Sequence, residues 1–114
     1  MGDRGQVFIK DTKIYLYTHW TGTELRESVR AALARGKDRW DDPEYLARII
    51  FCEMLAQSAK PLTEIDGFGI GESLHGDLNH PLVTIDCQSQ TVSIEGETEE
   101  ISFNRFVFTP TPEN

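Results

Sequence analysis

The sequence predicts a single α+β domain, and three patterns carry that prediction. Two short β-rich runs open the chain, two amphipathic stretches with helix start and stop signals follow, and strand-like runs fill most of the second half. Together they give an N-terminal β-hairpin, two packed helices, then a mainly antiparallel C-terminal set of strands. The 114-residue length suits one domain, because a chain of that size buries somewhat over roughly 60% of its unfolded surface. A hydrophobic content of 39%, with six Phe, three Tyr and two Trp, supplies the core and argues against wholesale disorder.

The hairpin is read from Val7–Ile9 and Ile14–Thr18, joined by the polar residues Lys10, Asp11, Thr12 and Lys13. Alternation in the second run puts Ile14, Leu16 and Thr18 on one face and Tyr15, Tyr17 and His19 on the other. The first helix is expected from about Thr21, where Thr21-Gly22-Thr23-Glu24 fits a capping box, to a stop at Gly36. Leu25, Val29, Ala32 and Leu33 form its apolar stripe, with Arg26 and Arg30 opposite. The second helix is announced by Asp42 as N-cap, Pro43 at its first position and Glu44 in its first turn. Leu46, Ala47, Ile50, Phe51, Met54 and Leu55 cover about half its circumference, which predicts a central helix and requires partners for Arg48 and Glu53.

After Lys60-Pro61 the pattern changes. Gly67-Phe68-Gly69-Ile70-Gly71 is too glycine-rich for a helix, and Leu82–Cys87, Thr91–Glu95 and Ile101–Phe103 read as strands. Phe103, Phe106 and Phe108 anchor the last element, so the domain is expected over 1–108 with 109–114 as a flexible tail.

Charge and cysteine usage bound the function. The formal net charge is -8, and residues 61–114 carry ten acids against Arg105 alone. Direct nucleic-acid binding is therefore not expected of that half, whereas docking on a basic groove of a host protein is compatible with it. Cys52 and Cys87 are far apart and outside any C-x-x-C spacing, which predicts reduced, buried thiols and no zinc framework. The first residues lack the pattern of a secretory signal and no apolar run reaches membrane-spanning length, so the expected location is the cytoplasm, without membrane attachment.

The densest group of functional residue types is Tyr15, Tyr17, His19 and Trp20 together with Arg39, Trp40, Tyr45 and Arg48, beside Asp41 and Asp42. Rings beside guanidinium groups suit stacking on a base and pairing with a phosphate. The candidate ligand-binding set is accordingly Tyr15, Tyr17, His19, Trp20, Arg39, Trp40 and Arg48. The same residues have a packing reading, in which the tryptophans fill the helix interface and Arg48 pairs with Asp41 or Asp42. The glycine run lacks a preceding strand and a following Lys-Ser or Lys-Thr, so it is a weak nucleotide signature and reads better as a strand with glycines for twist or close packing. His75, Asp77 and His80 offer metal-ligand types at a spacing that matches no zinc motif, and a loop explains them equally. No catalytic set and no cofactor is implied.

Ile14-Tyr15-Leu16-Tyr17-Thr18-His19-Trp20, Arg39-Trp40-Asp41-Asp42 and Tyr45-Leu46-Ala47-Arg48-Ile49-Ile50-Phe51 resemble a family of small uncharacterised proteins of bacteriophages, prophages and bacterial genomes. Gly67-Phe68-Gly69-Ile70-Gly71 and Gln90-Thr91-Val92 extend the resemblance over most of the chain. It implies an accessory protein that acts by binding, antiviral defence included, and carries no catalytic residues over. Two expectations follow: sequestration of a nucleotide signal or other anionic small molecule, with a homo-oligomer interface as one setting, or inhibition of a basic host protein by nucleic-acid mimicry. A small metal-dependent hydrolase is the third.

Overall fold

Four strands of the protein alternate an apolar side chain with a polar or aromatic one, and that alternation gives its sheet one dry face and one mixed face. The computed structural model describes residues 2–108. Six strands, β1 (Gly5–Ile9), β2 (Ile14–Thr18), β3 (Phe68–Gly71), β4 (Val83–Asp86), β5 (Thr91–Ile94) and β6 (Ile101–Ser102), form one sheet in the order β3-β2-β1-β4-β5-β6. Neighbours are antiparallel except β1 and β4, which run parallel with Val7 opposite Val83 and Ile9 opposite Ile85. Register lines up Leu16, Val7, Val83 and Ile94 in one row and Ile14, Ile9, Ile85 and Val92 in the next. These rows meet Leu25, Val29 and Leu33 of α1 (Leu25–Arg35), Leu46, Ile50 and Met54 of α2 (Pro43–Leu55), and Phe103 and Phe106 of α3 (Phe103–Val107) in one core. The architecture is α+β, as the sequence predicts.

Both hairpins turn through a residue in the left-handed region, Lys13 at φ 58° and Gln90 at φ 56°. Asp11 ties the two turns together, its carboxylate accepting from the amides of Cys87 at 2.8 Å and Gln88 at 3.2 Å. Asp86 shapes the second turn by accepting from Gln88 N and Ser89 N.

The second helix is built as its sequence specifies: Asp42 Oδ1 accepts from Tyr45 N at 3.2 Å, and Pro43 opens the helix. The first is not. A 3-10 turn over Gly22–Glu24 precedes α1, and Thr21 makes no capping bond. Its hydroxyl instead pairs with that of Thr18 at 2.7 Å, and the amide of Thr23 is taken by Asp3 Oδ2 at 3.0 Å. A carboxylate from the amino-terminal segment thus replaces the local box, and it also suits the positive end of the helix. Burial alone would raise the Asp3 pKa, but the bonds from Thr23 and the adjacent His80 outweigh it and hold the carboxyl below its usual value.

The end of the chain departs from expectation too. Only Ile101 and Ser102 pair with β5, and at Phe103 the backbone turns into α3. Ser102 Oγ accepts from Arg105 N at 3.1 Å as a helix cap, and Phe103 and Phe106, three apart, are both buried while Phe108 is exposed. The tail expected over 109–114 lies outside the described residues. Arg35 and Glu53 pair at 2.8 Å across α1 and α2, which answers the need of Glu53 for a partner. No helix among the described residues is long and apolar enough to cross a membrane.

Candidate functional site

The seven candidate residues do not converge. Tyr15 stacks on Phe8, its cross-strand neighbour, with ring centres 4.5 Å apart on the mixed face of the sheet. Trp40 is half-buried and packs against the core: its indole donates to Leu33 O at 2.9 Å and meets Phe103 edge-on at 5.4 Å. Its ring is thus engaged in packing between α1 and Phe103 and stands apart from the other candidate residues.

Tyr17, His19 and Trp20 do stay together, at the end of β2. Tyr17 Oη and His19 Nδ1 are hydrogen-bonded at 3.1 Å, and His19 meets the exposed indole of Trp20 edge-on at 4.1 Å. A fourth ring, His75, joins from the loop before β4 and stacks on Tyr17 at 4.3 Å. Gln6 fixes that loop, donating to Ser73 O at 3.1 Å and accepting from His75 N at 2.9 Å. Burial and the nearby Asp77 push the Tyr17 phenol above its usual pKa against the opposing pull of Arg4, so it stays protonated. The remaining loop residues diverge: Asp77 pairs with Arg4 at 3.3 Å and His80 with Asp3. No group of three or more His, Cys, Asp or Glu able to hold a metal ion occurs among the described residues.

Arg39 and Arg48 meet elsewhere, on Tyr45. The 3-10 turn over Lys37–Arg39 links α1 to α2 and brings the Arg39 guanidinium to 4.4 Å from the centre of the Tyr45 ring. Arg48, one helical turn beyond Tyr45, places its own at 4.7 Å. Neither arginine is in an ion pair among the described residues, and the expected bridge from Arg48 to Asp41 or Asp42 is not formed. Arg48 donates to Cys52 Sγ at 3.9 Å, a contact that, with Tyr45, keeps its guanidinium above its usual pKa despite desolvation. Arg35, Asp38 and Ile49 complete the walls of an open cleft of about 240 Å³. Gly36 lets the helices close beneath it, since a side chain there would meet Ala32 O at 2.9 Å and Ile49 Cδ1 at 3.0 Å. Tyr45 was the missing member of the set, and its position three residues before Arg48 is the local signal for it.

The thiols are unequal. Cys87 is buried and Cys52 only partly so. Burial, then the neighbouring carboxylate of Asp11, pushes the Cys87 thiol up to about 12. Native protein is expected to take up one equivalent of a thiol reagent at neutral pH, on Cys52, and the second only on unfolding; two equally fast equivalents would contradict the burial. An unfolded thiol ionises near pH ~8.5 while folded Cys87 does not, so its contribution to stability is full below that pH and is lost between there and about 12.

Comparison with protein-family models, with curated proteins and with solved structures finds no match to this chain. The chemistry of the two clusters carries the functional reading by itself.

Proposed function

We propose that the protein acts by binding an anionic small molecule, of which a nucleotide is the leading class, at the cleft of Arg39, Tyr45 and Arg48. One observation carries the reading: two guanidinium groups share one aromatic ring and neither has a carboxylate partner among the described residues. Planar guanidinium groups present paired donors that match phosphate oxygens, and stacking on a ring holds them ready while leaving those donors free. Arg35, already paired with Glu53, adds positive potential at the wall, and Asp38 sets a limit on how much negative charge the cleft accepts. The biological setting we infer is that of a phage or mobile-element accessory protein in the host cytoplasm, sequestering a signal used in defence. An oligomer that pairs two such clefts would suit the role.

The test is thermal unfolding against a panel of inorganic phosphate, pyrophosphate, mononucleotides and cyclic nucleotides. At least one anion is expected to raise Tm, and a concentration of 100 times Kd adds about 2.7 kcal/mol of stability. Arg39→Ala or Arg48→Ala is expected to weaken that anion about 10- to 150-fold, the range for a charge-assisted hydrogen bond of ~1.5–3 kcal/mol. Both variants should keep the unliganded Tm, because both groups lie at the surface. A panel without any stabilising anion would sink the proposal.

The alternative partner, a basic host protein recognised by the acidic carboxy-terminal half, has less support. Glu95 accepts from Leu82 N at 3.3 Å, Glu97 pairs with Arg26 at 3.4 Å and Glu100 accepts from Ser93 Oγ at 3.3 Å, so these acids already serve the fold.

A further inference from the structure

We propose that the recess between Trp20 and Phe68 is a second binding site, which takes a planar, nucleobase-like heteroaromatic ring. The recess has a volume of about 330 Å³, at the lower end for small-ligand pockets. It opens where the turn after β2 faces the segment that links α2 to β3.

Trp20 leaves 51% of its surface in water, yet its indole is held in place. Gly67 sits at φ +79°, and a side chain on it would meet indole Cδ1 at 2.5 Å and Nε1 at 2.6 Å. Only a glycine lets the ring lie there. The His19 ring also meets the indole edge-on at 4.1 Å, and the His19 amide donates to Gly67 O at 2.7 Å. An exposed aromatic wall that is already ordered loses little entropy when a second ring stacks on it. Phe68 supplies a further apolar wall, backed by Phe51 at 6.3 Å in a perpendicular arrangement.

Polar groups at the rim specify what kind of ring fits. Ser58 Oγ accepts from Lys60 N at 3.2 Å, which leaves its hydroxyl hydrogen to donate. The Lys60 ammonium and the Asp66 carboxylate lie 3.5 Å apart, with 55% and 69% of their side-chain surfaces exposed. Such a screened pair exchanges partners readily, so it offers one donor and one acceptor to the edge of a heteroaromatic ring. A phosphate would meet Asp66 as well as Lys60 and is disfavoured, whereas an aliphatic occupant would leave the donors unused. Helix α2 separates this recess from the arginine cleft: Tyr45 stands in its first turn and Ser58 follows its last residue, and the rise from Tyr45 to Leu55 is by itself about 15 Å, too far for one mononucleotide to fill both. The two sites are therefore independent.

The probe is adenosine, which has the ring and no phosphate, titrated to about 10 mM with amide shifts and tryptophan emission as readouts. Saturable shifts at Thr21, Ser58 and Phe68, with quenching of the exposed Trp20 and constant emission from the half-buried Trp40, which lines a different part of the fold, are expected at a Kd of about 0.1–1 mM. Trp20→Ala should weaken adenosine at least about fivefold, the loss of one stacking contact, and leave Tm nearly unchanged. Arg39→Ala/Arg48→Ala should bind adenosine as the parent does, which separates this site from the anion cleft. Absence of saturable shifts, or equal affinity in Trp20→Ala, overturns the proposal. Should Trp20→Ala unfold, the parent's shift map decides, and saturable shifts confined to residues outside 19–21 and 58–68 overturn it as well.

Discussion

Phe103→Ala is expected to lower the free energy of unfolding by about 3–5 kcal/mol, the range for deleting a fully buried aromatic ring. Phe103 has no exposed surface, its amide donates to Gln90 O at 2.8 Å, and its ring meets Trp40 edge-on at 5.4 Å. The cavity left behind cannot collapse easily, because the Trp40 indole is bonded to Leu33 O and held there. For a domain whose whole stability is about 5–15 kcal/mol, the loss takes about a fifth of the total or more. Urea denaturation measures it, and Trp40 emission reports on the same site. Phe108→Ala, at a ring that is 78% exposed, should stay within about 0.5 kcal/mol of the parent. A Phe103→Ala loss under about 1 kcal/mol would contradict the buried helix at this end of the chain.

Gly22→Ala is the second large effect, at about 1–3 kcal/mol, and it acts through backbone crowding. Gly22 is buried, and its amide donates to Asp3 O at 2.7 Å. A side chain there would meet that same oxygen at 2.7 Å, the carbonyl carbon of Arg4 at 3.1 Å and His80 Cδ2 at 2.6 Å. His80 can turn away, but the backbone of Asp3 and Arg4 cannot yield without lifting the whole amino-terminal segment. That segment bonds Asn79 twice, through Arg4 N to Oδ1 at 2.8 Å and through Arg4 O from Asn79 N at 2.9 Å. Amide exchange should therefore speed up at Asn79 and Thr23 as well as at Gly22. Faster exchange at Gly22 alone would show that the segment is not a strap.

What could be foreseen was local. Asp42, Pro43 and Glu44 lie within one helical turn of the groups they act on, so the start of α2 was legible to the residue. The β1–β2 and β4–β5 hairpins were legible for the same reason, being closed by their own turn residues. Three other features needed partners distant in the chain. The parallel pairing of β1 with β4 has no local signal, and neither does the replacement of Thr21 by Asp3 at the start of α1. The aromatic and basic residues looked like one cluster because they are near in sequence. Folding separates them instead: Trp40 turns inward to Phe103, while Arg39 and Arg48 turn outward to Tyr45. At α3 the signal was present in the spacing of Phe103 and Phe106 behind Ser102, but five residues are too few for a period to outweigh the strand preference of Ile and Phe.

The parallel partnership of β1 and β4 also sets a timetable for synthesis. Lys10 and Asp86, which face each other beside that pairing, are 76 residues apart. At a translation rate of about 5–20 residues per second, β1 leaves the ribosome roughly 4–15 s before the strand that will cover its second edge. Through that interval β2 can protect only one side of it, and the other side displays unpaired backbone donors and acceptors to any neighbouring chain. The nascent protein is thus most vulnerable to wrong association while it is being made, and its safety depends on how quickly the stretch from β2 through β4 arrives.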